Sequence, residues 1–189
     1  IAAVDLSRSR IANAIKAKFE DVIFTSSATE ANNLAIRGIL KNSGIRNPKI
    51  IVSSIEHKSV LETAKNMKDD GVGVIYLPVS KDGFVDEEKL RDSLDDNVVL
   101  VSIMYVNNEI GAIQPIPQIS KIIRDFRGSR SFPLFHTDAV QAFQYLDCDV
   151  NELRVDLMTI SSHKIYGPKG ASALYSRNSK LIKPIITGG

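Results

Sequence analysis

Residues Val98 to Met104 read Val-Val-Leu-Val-Ser-Ile-Met, a continuous apolar run that is typical of a β-strand buried on both faces. Such a strand lies within a sheet that helices cover on both sides. Before and after this run, short β-rich segments alternate with helical ones along the chain. Because strands separated by helices are joined by crossover connections, we predict an α/β fold with three layers, α/β/α, and a mainly parallel sheet.

The other predicted elements follow the same alternation. Strands are predicted where short β-rich runs occur, and helices where the spacing of apolar residues is helical. No internal repeat, low-complexity tract or linker interrupts them, so we expect one domain over residues 1–189. The predicted strands are Val22–Thr25, Lys49–Ser53, Val72–Leu77, Val98–Met104, Pro133–Thr137, Asp156–Ser161 and Ala171–Ser176, and the helices are Thr29–Leu40, Ser59–Lys68, Asp86–Leu94 and Ile116–Phe126.

Both ends of the sequence lead us to expect a piece of a longer protein. A helical pattern is already running at Ile1–Val4 without a capping residue before it, and Thr187–Gly189 is a loop signal with no element after it.

Composition narrows the classes of function. Of the 189 residues, 43% are hydrophobic and 24% charged, with a net charge of +2, which favours neither a nucleic-acid nor a membrane partner. No apolar run approaches the roughly 20 residues of a membrane span. Cys148 is the only cysteine, so an intrachain disulfide and a cysteine metal cluster are both excluded, and no metal is expected. We expect Cys148 to be a packing residue in a protein of a reducing compartment, the cytoplasm or alternatively the mitochondrion.

Polar residues follow five of the predicted strands, where a hydrophobic core needs none of them. In a parallel sheet, ligands bind at the carboxyl ends of the strands, so these residues should gather at one edge. They are Ser26–Thr29, Glu56–Lys58, Asn107–Glu109, Asp138 with Gln141, and Ser161–Lys164.

These residue types match the needs of pyridoxal 5'-phosphate (PLP). An amine must hold the aldehyde as a Schiff base, a carboxylate should pair with the pyridine nitrogen, and a helix start should bind the phosphate. A flat group should stack on the ring, and donors should reach its phenolic oxygen. The candidates are Lys164 for the aldehyde, Asp138 for the nitrogen, Ser27–Thr29 for the phosphate, His57 for stacking, and Asn108 and Gln141 for the phenolic oxygen or the substrate.

Each candidate alone also has an ordinary structural explanation. Ser27 could be a plain helix N-cap, and Asp138 a cap or half of a buried salt bridge. His57 could be a loop histidine and Asn108 a turn amide. Lys164 could be a solvated surface charge. Their combination in one chain favours a cofactor site.

Five segments, in the family's order and across nearly the whole chain, resemble the NifS/IscS-like cysteine desulfurases of the class V aminotransferase family. The segment around Lys164 is highly specific for this group. The Glu-His-Lys and Asn-Asn-Glu-Ile-Gly segments favour the NifS/IscS branch over the SufS-like branch and the selenocysteine lyases. The five segments are Phe24–Asn33, Glu56–Leu61, Val106–Gly111, His136–Gln141 and Ser161–Gly170.

The resemblance implies a role for each matching residue. Lys164 carries the cofactor and later moves protons at the substrate Cα, while His57 stacks on the ring and acts as an acid/base. Asp138 pairs with the ring nitrogen, Gln141 binds the phenolic oxygen, and Asn108 contacts the cofactor or the substrate carboxylate. The phosphate-binding residues implied are Ala28, Thr29, Ser161 and His163.

The resemblance also implies the fold of a PLP-dependent transferase large domain and a reaction. L-cysteine becomes L-alanine, and sulfur passes through a persulfide to an acceptor such as an iron–sulfur scaffold protein, for iron–sulfur cluster or thio-cofactor synthesis. A homodimer is implied as well. The family's sulfur-accepting cysteine, N-terminal arm and small domain find no match here, and Cys148 does not correspond to that cysteine. We therefore expect these 189 residues alone not to release alanine from cysteine.

The sequence departs from the family pattern at four positions. Ser27, Ser162 and Ser172 stand where the family usually has glycine, and Ser27 would crowd the phosphate turn if its φ were positive. Val140 replaces a small or hydroxyl-bearing residue.

Other functions remain as alternatives. One is a different class V enzyme, a selenocysteine lyase or an aminotransferase, and another is a catalytically incomplete fragment that acts as an interaction module. A nicotinamide-binding domain is disfavoured because no Gly-x-Gly-x-x-Gly follows a predicted strand. Gly167-Pro168-Lys169-Gly170 lacks the spacing of a P-loop.

Overall fold

The computed structural model describes residues 2–188, so Ile1 and Gly189, the outermost residues of the two terminal patterns, lie outside it. The strands are β1 (Val22–Thr25), β2 (Lys49–Ser53), β3 (Gly73–Leu77), β4 (Val98–Ser102), β5 (Leu134–Asp138), β6 (Leu157–Ser161) and β7 (Ser172–Ser176). The helices are α1 (Ala2–Ala14), α2 (Ala28–Asn42), α3 (Lys58–Asp69), α4 (Glu87–Ser93), α5 (Ile116–Arg127) and α6 (Val150–Leu153).

The strands form one sheet in the order β1-β7-β6-β5-β4-β2-β3. Strand β2 pairs in parallel with β3 and β4, and β4, β5 and β6 continue the parallel run. Only β7 runs against its neighbours, pairing antiparallel with both β1 and β6. The prediction of an α/β fold with a mainly parallel sheet is confirmed.

Helices cover both faces of the sheet, which gives the predicted three layers. One buried cluster joins α2 and α3 to one face, and the other joins α1, α4, α5 and α6 to the opposite face. Leu100 and Val101 are neighbours in β4, both are fully buried, and they belong to different clusters. The alternation of side chains along a strand therefore buries both faces of β4, as its continuous apolar sequence predicted.

Strand β4 is shorter than predicted because a side chain takes over one of its backbone bonds. The predicted strand continued to Met104, whereas the observed strand ends at Ser102. The backbone N–H of Met104 donates to Glu56 Oε1 at 2.6 Å. A buried carboxyl group thus satisfies a backbone donor just beyond the point where the pairing of β4 with β2 ends.

Cys148 lies in the core, as the sequence predicted. Only 3% of the residue is exposed, and burial raises the pKa of its thiol to about 12. A thiol in this environment stays protonated and is a weak nucleophile. Among residues 2–188, no helix combines the length and the apolar character that crossing a membrane requires.

The packing of β4 makes a quantitative prediction about stability. Leu100→Ala should lower the free energy of unfolding by ~2–5 kcal/mol because it opens a cavity under α2 and α3. Leu6→Ala, on the exposed side of α1, should change it by only about 0.5 kcal/mol. Urea unfolding followed by circular dichroism measures both variants, and equal losses would contradict the burial of β4.

Candidate active site

The polar segments identified from the sequence lie at one edge of the sheet. Strands β1, β2, β4, β5 and β6 all run in the same direction, since β1 and β6 are both antiparallel to β7 and the others are parallel to β6. Their carboxyl ends therefore meet at one edge. The turn that ends in Lys164 follows β6, directly beside the end of β5.

Helix α2 begins at this edge behind a well-formed cap. Ser27 has an extended backbone, with φ −159°, and its Oγ accepts the N–H of Glu30 at 3.1 Å. Glu30 Oε2 in turn accepts the N–H of Ser26 at 2.7 Å and its hydroxyl at 2.6 Å, and these bonds lower the pKa of the Glu30 carboxyl. Ser27 is thus an N-cap. Because its φ is extended rather than positive, a serine side chain does not strain this turn. The cap does not use the N–H groups of Ala28 and Thr29, which face outward at the helix start.

Asp138 is the last residue of β5, and its side chain is buried. Oδ2 accepts Asn32 Nδ2 at 2.8 Å, and Oδ1 accepts the N–H of Val140 at 3.0 Å. The latter bond makes Asp138 a cap of the following turn. None of the ion pairs between residues 2 and 188 involves Asp138, so the alternative of a buried salt bridge fails. Burial raises the pKa of Asp138, while the bonds from Asn32 and Val140 and the nearby His57 act to lower it.

A chain of hydrogen bonds connects Asp138 to His57 through two residues of the neighbouring helices. Asn32 Nδ2 lies 2.8 Å from Asp138 Oδ2 and 2.8 Å from Ser59 Oγ. Ser59 Oγ lies 2.8 Å from His57 Nδ1. We call this set of four residues, Asp138, Asn32, Ser59 and His57, the Asn32 network.

His57 is the N-cap of α3 rather than an unattached loop histidine. Its Nδ1 accepts the backbone N–H of Ser59 at 3.1 Å, so the ring proton of the neutral imidazole must sit on Nε2. The ring is exposed and lines two adjoining cavities. One, of about 410 Å³, also contains Thr29, and the other, of about 390 Å³, also contains Asn108.

Asn107 and Asn108 are consecutive in the sequence but differ in environment. Asn107 is buried, donates to the carbonyl of Ile55 at 2.8 Å, and accepts the N–H groups of Glu109 and Ile110 at 2.9 Å each. Asn108 is exposed at the cavity wall. Asn107 is therefore the turn amide, and it fixes the loop that presents Asn108.

Ser161 links the end of β6 to His163 and to β7. Its Oγ lies 2.8 Å from His163 Nδ1 and 2.8 Å from Ser172 Oγ. Ser172, one of the serines in place of glycine, is therefore used for a buried hydrogen bond. The arrangement leaves the ring of His163 exposed beside Lys164.

Lys164 ends a short 3-10 turn, Ser162–Lys164, and its side chain is exposed. The five ion pairs of residues 2–188 do not include it. The hydroxyl of Ser162 donates to the carbonyls of Pro168 and Ala171, which closes the loop after Lys164. A Cβ on Gly167 would lie 2.9 Å from Ser162 Cβ and 3.0 Å from its carbonyl oxygen, so this closure requires glycine at 167.

The structure brings some of the predicted residues closer together than others. His57 shares cavities with Thr29 and with Asn108, and hydrogen bonds link it to Asp138. Lys164 and Gln141 line neither cavity; Gln141 is half-buried in the turn after β5. Val140 is buried. No group of three or more His, Cys, Asp or Glu within residues 2–188 is arranged to hold a metal ion.

Sequence reasoning missed Asn32 and Ser59 as parts of the site. Both are buried polar residues on the apolar faces of their helices: Asn32 shares its face with Ala35, Ile36 and Ile39, and Ser59 lies beside Val60. A polar residue at a core position near a helix start was the available signal. It predicts a buried partner without saying which one.

Glu56 is the second buried carboxyl of the site. Its Oε1 accepts the Ser53 hydroxyl at 2.5 Å and the N–H of Met104 at 2.6 Å, while Oε2 is buried without a hydrogen-bond partner in residues 2–188. Burial raises the pKa of Glu56 to about 8, and the charge of Asp138 adds to this effect. Glu56 therefore holds a proton at neutral pH beside the ionisable Asp138.

Comparisons with known proteins give matches over nearly the whole chain. The family model described as Aminotransferase class-V matches residues 1–189. A mitochondrial cysteine desulfurase of Candida albicans is 47% identical over 188 residues, covering 98% of this chain and 38% of that relative. Cysteine desulfurase IscS of Rickettsia felis is 46% identical over 189 residues, covering 99% of this chain and 45% of that relative. The chain thus spans less than half the length of these curated relatives.

Solved structures agree with the sequence comparisons. A structure described as a NifS-like protein superimposes with a TM-score of 0.92 at 36% identity, covering 98% of this chain and 50% of that one. A structure described as SspA in complex with cysteine gives 0.91 at 36% identity, covering 100% of this chain and 55% of that one.

Glu56 makes a prediction about pH. Its pKa is raised in the folded state, so the folded protein holds a proton that the unfolded chain releases between about pH 4.5 and 8, and stability is lost as pH rises through that window. Glu56→Gln does not titrate and should lose less stability from pH 5 to pH 9 in urea unfolding. Glu62→Gln, at an exposed position, should keep the wild-type pH dependence. Identical pH dependence in all three proteins would contradict the buried, protonated Glu56.

Proposed function

Because the chain belongs to the class V aminotransferase family, we propose that residues 1–189 form the PLP-binding large domain of a cysteine desulfurase of the NifS/IscS type. The fold, the family match and the known activity named for the relatives support this proposal. The activity, substrates and partners of the whole protein are part of the proposal, since the chain spans less than half of its curated relatives.

The observation that carries the proposal is the buried carboxyl of Asp138. Its two oxygens accept hydrogen bonds only from neutral groups among residues 2–188, Asn32 and Val140. A carboxylate removed from water is costly unless a cation faces it. A protonated pyridine nitrogen is such a cation, and the same pairing keeps the ring able to withdraw electrons. The residues present therefore fit PLP.

Each remaining residue has a proposed contact. PLP supplies an aldehyde that condenses with amines and a ring that delocalises negative charge. Lys164 would hold the aldehyde, and its exposure leaves the amine free to do so. The phosphate would lie at the start of α2 against Ala28 and Thr29, with Ser161 and His163 contributing from the end of β6.

The substrate side of the site is proposed from the second cavity. His57 and Asn108 line it together. Asn108 would bind the substrate carboxylate or the cofactor, and Gln141 would donate to the phenolic oxygen. Lys164, once released from the cofactor, would take the proton from the substrate Cα. His57 would stack on the ring and act as an acid/base through Nε2.

The proposed substrate is L-cysteine and the product L-alanine. The sulfur atom of cysteine passes to a protein thiol, which becomes a persulfide, so no external oxidant or reductant is needed. A sulfur acceptor such as an iron–sulfur scaffold protein, a homodimeric assembly and a cytoplasmic or mitochondrial location complete the proposal. The relatives, bacterial and mitochondrial, support both locations.

Lys164 is tested by a matched pair of lysine variants. Wild-type protein should develop a yellow absorption band with PLP, and borohydride should bleach it and leave the cofactor attached. Lys164→Ala should lose the band and the attachment, because the amine is gone. Lys169→Ala, an exposed lysine of the same loop, should behave as wild type. A borohydride-sensitive band that survives in Lys164→Ala would overturn the assignment.

The substrate is tested by measuring alanine released by the full-length protein. L-cysteine should give alanine and protein-bound persulfide sulfur in equal amounts. Release from L-selenocysteine alone would instead identify a selenocysteine lyase. Transamination without sulfur release would identify an aminotransferase.

A further inference from the structure

We propose that Asn32 is a positioning residue whose single amide group fixes both the carboxylate of Asp138 and the Ser59–His57 cap of α3. This inference deepens the proposed function and rests on it, because it assigns a role toward the same cofactor. Asn32 is fully buried, so it contacts neither substrate nor solvent.

The geometry uses both protons of one NH₂ group. Asn32 Nδ2 donates to Asp138 Oδ2 and to Ser59 Oγ, each at 2.8 Å. These two acceptors belong to different elements, β5 and α3, while Asn32 belongs to α2. One planar amide therefore sets the distance between the strand end that carries the carboxylate and the helix start that carries His57.

The chemistry fixes the orientation of this amide. A flipped amide would turn Oδ1 toward the Asp138 carboxylate, where two acceptors would repel each other. In the observed orientation, Oδ1 of Asn32 is buried without a hydrogen-bond partner in residues 2–188. An unpaired buried oxygen lowers stability. Asparagine at this position is thus costly for folding, which favours a role at the site over a role in packing.

Asn32 affects its two partners differently. Toward Asp138, burial raises the pKa of the carboxyl, and the hydrogen bond that Asn32 donates acts against this effect, as does the nearby His57. Toward Ser59, it occupies a lone pair of Oγ, so the hydroxyl proton turns to Nδ1 of His57. Removal of the amide group should therefore disturb both the ionisation of Asp138 and the hydrogen bond between Ser59 and His57.

The test compares Asn32→Leu, which has a similar volume but no donor, with Ser59→Ala, which cuts only the branch toward His57. In the apo protein, carboxyl ¹³C NMR should show a higher pKa of Asp138 in Asn32→Leu and an unchanged one in Ser59→Ala. The ¹⁵N shift of His57 Nδ1 should move in both variants. Asn13→Leu, at an exposed position of α1, should change neither signal.

PLP affinity supplies a second measurement. Asn32→Leu should weaken PLP binding by roughly ten- to hundred-fold, the effect of losing a hydrogen bond to a charged group. Ser59→Ala should weaken it less. An Asn32→Leu protein that folds and keeps the wild-type Asp138 titration overturns the inference, as does a Ser59→Ala protein that shifts it equally.

A third measurement uses the wild-type protein and therefore does not depend on whether a variant folds. Both Nδ2 protons of Asn32 should exchange slowly with solvent, because both are hydrogen-bonded and buried. Rapid exchange of either proton overturns the inference. Neither this measurement nor the apo NMR requires PLP, whereas a wild-type protein that fails to bind PLP overturns the proposed function alone.

Discussion

A buried carboxylate at the end of a central strand is the constraint on which the rest of the site depends. Asp138 cannot be withdrawn from water without donors around it, and the protein supplies them from α2 and from the turn after β5. Those donors are neutral, no ion pair among residues 2–188 includes Asp138, and burial raises the pKa of its carboxyl. A positively charged group beside Asp138 would stabilise its ionised form, which is the physical basis of the proposed cofactor.

The parallel sheet makes this arrangement achievable. Strands that run in one direction end at one edge, so short segments far apart in the sequence meet there without long loops. The helices that start at the same edge bring Ser27 and His57 as caps. His57 is therefore a capping residue whose ordinary structural explanation holds together with its proposed role.

Burial raises the pKa of two carboxyls that lie near each other, Glu56 and Asp138. Glu56 keeps its proton at neutral pH because burial raises its pKa to about 8, and its Oε2 has no hydrogen-bond partner within residues 2–188. For Asp138, the hydrogen bond from Asn32 and the nearby His57 act against the rise in pKa that burial causes. A neutral Glu56 adds no negative charge next to Asp138, and it also accepts the backbone N–H of Met104 just beyond the end of β4.

The sequence by itself determined the α/β layers, the seven strands and the gathering of polar residues at one edge, because burial leaves a periodic pattern along the chain that needs no knowledge of partners. Only the tertiary structure decided that β4 ends at Ser102, that Asp138 pairs with Asn32, and that Asn107 supports the loop while Asn108 faces the cavity. A hydrogen bond such as that from Asn32 to Asp138 joins residues far apart in the sequence. Packing in three dimensions brings the two partners together, and the spacing of residues in the sequence does not predict this pairing.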